Sequence, residues 1–122
     1  MNAVGIDISK GKSMVAIARP FGEIISKPFE VHHTSAAIGE LISYLHILGG
    51  DTRIVMEHTG RYYEPMARSL ADADFFVSTL NPKLIKDYGN NSLRKVKTDK
   101  ADALKIARYA LDNWHDLCQY TT

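Results

Sequence analysis

The chain has 122 residues, 45% hydrophobic and 24% charged, with a formal net charge of +1. That make-up is that of one ordinary globular domain, large enough to bury a core without staples. The single cysteine, Cys118, excludes an internal disulfide and fits a reducing cytoplasm. No apolar run nears the roughly 20 residues of a membrane span, and Asp7 and Lys10 interrupt any signal-peptide core.

Residues 3–8 alternate Val4, Ile6 and Ile8 with Gly5 and Asp7, the period-2 pattern of a strand. A turn at residues 9–12 leads to a second strand, Met14 to Ala18, and a Pro20-Phe21-Gly22 turn to a third, Glu23 to Val31. Pro28 marks the third strand as an edge or a bulge. The short connections predict an antiparallel meander. The period then changes. Thr34 or Ser35 caps a helix carrying Ile38, Leu41, Ile42, Leu45 and Leu48, and Gly49-Gly50 ends it.

Arg53 to Glu57 reads as a short apolar strand. Tyr63 to about Ala73 reads as a helix with Pro65 in its first turn, and Phe75 to Leu80 as a fifth strand. Asn81-Pro82 opens a short helix to about Tyr88. Residues 89–92, Gly-Asn-Asn-Ser, read as a mobile loop, and a last helix runs from Thr98 to about Trp114. The expected fold class is α/β, order βββαβαβα: a mixed five-stranded sheet with helices packed on it. Residues 1–122 form one domain.

Four acids stand out. Asp7 interrupts an apolar strand and Glu57 ends another; a buried, unpaired carboxylate is costly, so each needs a partner, a metal or solvent. Sites in open α/β sheets gather at the carboxyl ends of strands. Taken singly, each acid is also explained as a strand-end residue facing water. Asp99 and Asp102 lie three apart in the first turn of the last helix, with Thr98 as its cap. Acids there also oppose the helix dipole, a purely structural explanation. The expected buried stripe of this helix is Ala103, Leu104, Ala107, Ala110, Leu111 and Trp114. Asp99 falls at its edge and Asp102 a little beyond.

Charge is concentrated late in the chain. Between residues 83 and 108, eight lysines and arginines face only Asp87, Asp99 and Asp102. A basic run is commonly a solvated face, and it also attracts phosphate backbones. Arg94, Lys95, Lys97 and Lys100 are the expected backbone contacts, with Thr59 beside Glu57 as a further one. His32 and His33 are adjacent in an extended segment and point to opposite sides, which argues against a shared metal. His58 is expected to be structural or exposed, Tyr62 and Tyr63 to be packing residues, and Cys118 to be inert.

Four pieces in order carry a family resemblance: Gly5-Ile6-Asp7-Ile8-Ser9-Lys10, then Glu57-His58-Thr59-Gly60-Arg61-Tyr62, then Asn81-Pro82, then residues 97–103, Lys-Thr-Asp-Lys-Ala-Asp-Ala. Together they resemble the N-terminal RuvC-like domain of IS110-type transposases, a ribonuclease H-like fold. The family's Asp-Glu-Asp-Asp signature maps onto Asp7, Glu57, Asp99 and Asp102. The resemblance implies a catalytic site that binds Mg²⁺ or Mn²⁺ and performs DNA cleavage or strand transfer in transposition. It further implies a C-terminal domain with a serine that completes the site, a guide RNA, and homo-oligomeric assembly of the full-length protein. On this view the chain is a fragment, inactive in recombination alone. Hard cations of this kind prefer carboxylate oxygen, and two of them can serve the attacking and leaving oxygens of one phosphate. Two rival readings remain open. One is a non-enzymatic nucleic-acid-binding module; the other is an ATP-binding fragment of the actin and sugar-kinase superfamily, which needs a second phosphate loop not found here.

Overall fold

The computed structural model describes residues 1–58, 60–88 and 99–121, except for the side chain of Asp99. The expected contacts Thr59, Arg94, Lys95 and Lys97, the loop at 89–92 and the cap at Thr98 lie outside the described residues.

The strands are β1 (Asn2–Ile8), β2 (Lys12–Ala18), β3 (Ile24–His32), β4 (Thr52–Glu57) and β5 (Phe76–Leu80). They form one sheet in the order β3-β2-β1-β4-β5. The meander holds: β1 pairs β2 and β2 pairs β3, both antiparallel. After it, β4 and β5 join parallel to β1. Pro28 is explained on both counts. β3 is the edge strand, and its register with β2 shifts between Phe29 opposite Val15 and Ser26 opposite Ile17. A residue without an N–H is tolerated at such a bulge.

The helices are α1 (Ser35–Ile47), α2 (Tyr63–Asp72), α3 (Pro82–Asp87) and α4 (Asp99–Asp112), with a short 3-10 turn at Trp114–Asp116. The short α3 makes the order βββαβαβαα. Thr34 caps α1, its Oγ1 accepting from the Ala37 amide at 3.1 Å. Asn81 caps α3 through Oδ1 and the Lys83 amide at 2.9 Å, with Pro82 following at the position where its missing N–H costs nothing.

Two cores lie on the two faces of the sheet. Val4, Ile6, Val15, Ile17, Ile54, Met56 and Val77 pack under α1 and α2, which contribute Leu41, Leu45, Met66, Ala67 and Leu70. Ala3, Val55 and Leu80 pack on the other face under Ile106, Ala107 and Ala110 of α4, with Ile85 of α3 and Trp114.

The second face is thin because Gly5 lets α4 down onto β1. A Cβ at Gly5 would overlap the Ala103 carbonyl oxygen and the Ala107 amide nitrogen, and would come 3.0 Å from the Ala107 Cα. At the far end of α4, the Arg53 guanidinium on β4 donates to the Trp114 carbonyl at 2.5 Å and lies over the Phe76 ring. These contacts orient the helix. It starts over the carboxyl ends of β1 and β4 and runs back toward their beginnings.

The buried stripe of α4 departs from expectation in one place. Ile106 is fully buried, whereas Leu104 and Leu111 are only partly so. At about 100° per residue, this turns the sheet-facing side of α4 toward the flank that bears Asp102.

Candidate metal and phosphate site

Strand alternation fixes which way Asp7 and Glu57 point. Ala3 and Gly5 lie on the α4 face of β1, so Asp7, two residues on, shares that face. Val55 lies on the α4 face of β4, and Glu57 follows it by two. The parallel pairing of β1 and β4 aligns Ile6 with Met56, so the next residues along, Asp7 and Glu57, are neighbours across the sheet. Adjacent strands run about 4.8 Å apart. Both acids are half-buried.

Asp102 reaches the same place from above. It precedes Ala103, which is packed against Gly5, and it is half-buried. Its charge acts on Glu57. Burial first, and the Asp102 carboxylate second, push the Glu57 pKa up from its ordinary value, while Lys105 pulls it back. This is the signature of like charges crowded in a partly desolvated place. Asp99 is the first residue of α4, one turn before Ala103. The partial positive charge of a helix start faces the same region.

A polar residue at the other end of β1 provides a contrast. Asn2 is 1% exposed, yet its amide donates to Gly49 O at 2.7 Å and to Thr52 Oγ1 at 3.1 Å, and accepts from Arg19 Nε at 2.8 Å. That is a satisfied structural group. At the opposite end, acids are set facing an acid.

Among the described residues, no three carboxylate, imidazole or thiol groups are gathered closely enough to hold a metal ion. Asp7, Glu57 and Asp102 are among those residues; the side chain of Asp99 lies outside them. The donor set is nonetheless all carboxylate oxygen, which suits a hard divalent cation.

The other expectations sort by geometry. Lys100 is exposed at the start of α4. His33 turns inward, its Nε2 2.6 Å from the buried Ser13 Oγ, and burial lowers its pKa; His32 is exposed, so the two do not converge. His58 is exposed, and its backbone N–H donates to Leu80 O at 2.9 Å, tying the ends of β4 and β5 together. Tyr63 packs against the larger core as expected, but Tyr62 is 48% exposed and is not a packing residue. Cys118 is exposed. Lys105, one of the eight basic residues of the late run, is half-buried on α4.

The sequence matches the IS110-type DEDD transposase family, described as "Transposase", over residues 4–122. The chain belongs to this family. Two curated relatives, the pilin gene-inverting proteins of Moraxella lacunata and Moraxella bovis, are each 38% identical over 56 residues. The match covers 46% of this chain and 17% of each relative, so the chain spans only a small part of their length. Among solved structures, Thermus thermophilus RuvC superposes with a TM-score of 0.69 at 13% identity, covering 95% of this chain and 96% of that one. T. thermophilus RuvC in complex with Holliday junction substrate gives 0.66 at 12% identity, with the same coverage. The transposase-family chain therefore has the RuvC-like, ribonuclease H-like fold. None of its described helices is long and apolar enough to cross a membrane.

Proposed function

We propose that this transposase-family domain binds Mg²⁺ or Mn²⁺ through Asp7, Glu57, Asp99 and Asp102 and cuts or transfers DNA phosphodiester bonds. The observation that supports the reading is that the Asp102 carboxylate of α4 acts electrostatically on Glu57 of β4, the strand that pairs with that of Asp7. A protein does not gain stability by crowding acids; such crowding is characteristic of sites that hold a cation.

Bound divalent metal supplies Lewis-acid stabilisation of the phosphate and a more nucleophilic attacking oxygen. The residues of the chain do the rest. Asp7 and Glu57 are held by adjacent strands, which gives them fixed spacing. Asp99 and Asp102 ride on α4, so their distance to the strand pair depends on how closely α4 lies on Gly5. The attacking oxygen, from water or a 3′-hydroxyl, forms a new P–O bond as the bond to the leaving oxygen breaks. Arg94, Lys95, Lys97 and Lys100, with Thr59, hold the phosphate backbone, and the binding weakens as salt rises. The RuvC neighbour solved with a Holliday junction supports DNA as the partner. A guide RNA, a homo-oligomer, a C-terminal domain completing the site, and a cytoplasmic setting belong to the same reading of the full-length protein.

Isothermal titration with Mn²⁺ tests it. The wild-type chain is expected to bind, and Asp7→Ala to bind more than about tenfold more weakly, since even outer partners of metal ligands cost that much. Identical titrations of the two proteins would remove Asp7 from the site.

A further inference from the structure

Strand register places a basic bank beside Asp7, on the side of β1 away from β4. Asp7 lies opposite Met14 of β2; Met14 lies opposite Glu30 of β3, and Lys12 opposite His32. Val15 and Val31 belong to the core under α1 and α2. By alternation, Lys12, Met14, Glu30 and His32 therefore share the α4 face with Asp7. Cover by α4 runs out along this row. Ala16, opposite Gly5, is fully buried, Met14 is half-buried, and Lys12, Glu30 and His32 are exposed.

The turn from β1 to β2 continues the bank. The Ser9 amide donates to the Lys12 carbonyl at 2.9 Å, and Gly11 takes a φ of 80°. The Gly11 carbonyl accepts from the His33 amide at 3.0 Å, which ties the turn to the end of β3. Lys10 stands exposed on this turn, and the Lys12 ammonium is 2.8 Å from the Glu30 carboxylate.

We propose that Lys10 and Lys12 bind the DNA backbone phosphates that flank the one lying at the acids. The inference rests on the reading of this sheet end as a metal-dependent DNA-cutting site. Each DNA strand carries one charge per roughly 3.4 Å of axis, and neighbouring strands of a sheet lie about 4.8 Å apart. A phosphate next to one held at Asp7 thus falls within reach of a lysine on β2 or its turn. β4, with Glu57, lies on one side of β1 and these lysines on the other. A backbone crossing the acids, which repel it, meets cations where it leaves them. Glu30 holds Lys12 over the sheet but also offsets its charge, so the two side chains act on DNA with opposite signs. A packing role gives no such opposition.

The test compares wild type, Lys12→Met, Lys12→Arg, Lys10→Met and Glu30→Gln. A short fluorescein-labelled DNA duplex is titrated in Ca²⁺ by anisotropy, over roughly 50–200 mM salt. Lys12→Met and Lys10→Met are each expected to weaken binding about three- to tenfold and to lower the salt slope by about one. Lys12→Arg is expected to keep the wild-type slope, and Glu30→Gln to tighten binding about twofold. An exposed ion pair adds little to stability, so all four variants are expected to melt with the wild type. A wild-type slope in folded Lys12→Met overturns the inference alone. Should that variant not fold, a wild-type slope in Lys10→Met does the same. A slope change with the matching RNA duplex and none with DNA also overturns it. Mn²⁺ calorimetry of the wild type is read separately: without Mn²⁺ binding the metal-site reading falls, and the inference with it.

Discussion

The two faces of the sheet are built from different materials. Under α1 and α2 the contacts are bulky: Ile6, Ile17, Ile54, Met56, Leu45, Met66 and Leu70 are fully or almost fully buried. Under α4, where it crosses β1 and β2, they are small: Ala3, Gly5, Ala16, Ala103, Ala107 and Ala110, with the larger Val55, Leu80, Ile106 and Trp114 beside them. Large aliphatic side chains bury the most apolar area, so the first face contributes most of the hydrophobic stabilisation. Small residues bury little but permit close backbone approach. The second face thus gives up thickness to bring α4 down onto β1 at Gly5. One face secures the fold and the other sets a distance.

The largest test breaks the thin face. Gly5→Val puts three carbons into the backbone of α4, which cannot yield as a flexible side chain can. A loss of more than about 4 kcal/mol is expected, read as a collapse of the urea midpoint. Any folded remainder should have α4 lifted and Mn²⁺ binding lost. The matching change on the thick face is Leu70→Ala. It leaves a cavity costing about 3 kcal/mol, yet molecules that remain folded should keep wild-type Mn²⁺ affinity. If Leu70→Ala weakens the metal site as much as Gly5→Val does, the division of labour between the faces is wrong.

The smallest test sharpens the comparison through pH. The Glu57 pKa is raised in the fold by burial and by Asp102, so the folded state binds that proton more tightly than the unfolded state does. Stability therefore falls as pH rises through the folded pKa, and an ionised Glu57 opposes folding at neutral pH. Glu57→Gln is expected to raise Tm by a few degrees at most at pH 7 without metal. The gain should vanish below the unfolded carboxylate pKa, where both groups are neutral. It should come with loss of Mn²⁺ binding, the exchange of stability for function expected at a site. A Glu57→Gln protein less stable than wild type at pH 7 would mean that the carboxylate has a stabilising partner instead.

Most of the fold was legible along the chain. The period-2 strand at Asp7, a helix cap at Thr34 or Ser35 and Pro28 at an edge or bulge all follow from interactions between residues near in sequence, and the structure has the strand, Thr34 as the cap and Pro28 on the edge strand at a shift of register. Asp7 and Glu57 were legible as candidates for the same reason: an acid at the end of an apolar strand is costly wherever that strand pairs. Helical phase was harder to read. Leu104 and Leu111 looked as apolar as Ile106, and periodicity sets spacing but not which residue of a pair turns inward.

The sequence by itself determined the elements, their order and the acids at their ends, because local hydrogen bonding and side-chain alternation act over a few residues. The tertiary structure decided that β1 lies between β2 and β4, that Gly5 is the seat of α4, and that Asp102 acts on Glu57. Those are contacts between segments distant in sequence. Their partners are chosen by packing, and packing is settled only when the whole sheet and its helices close together.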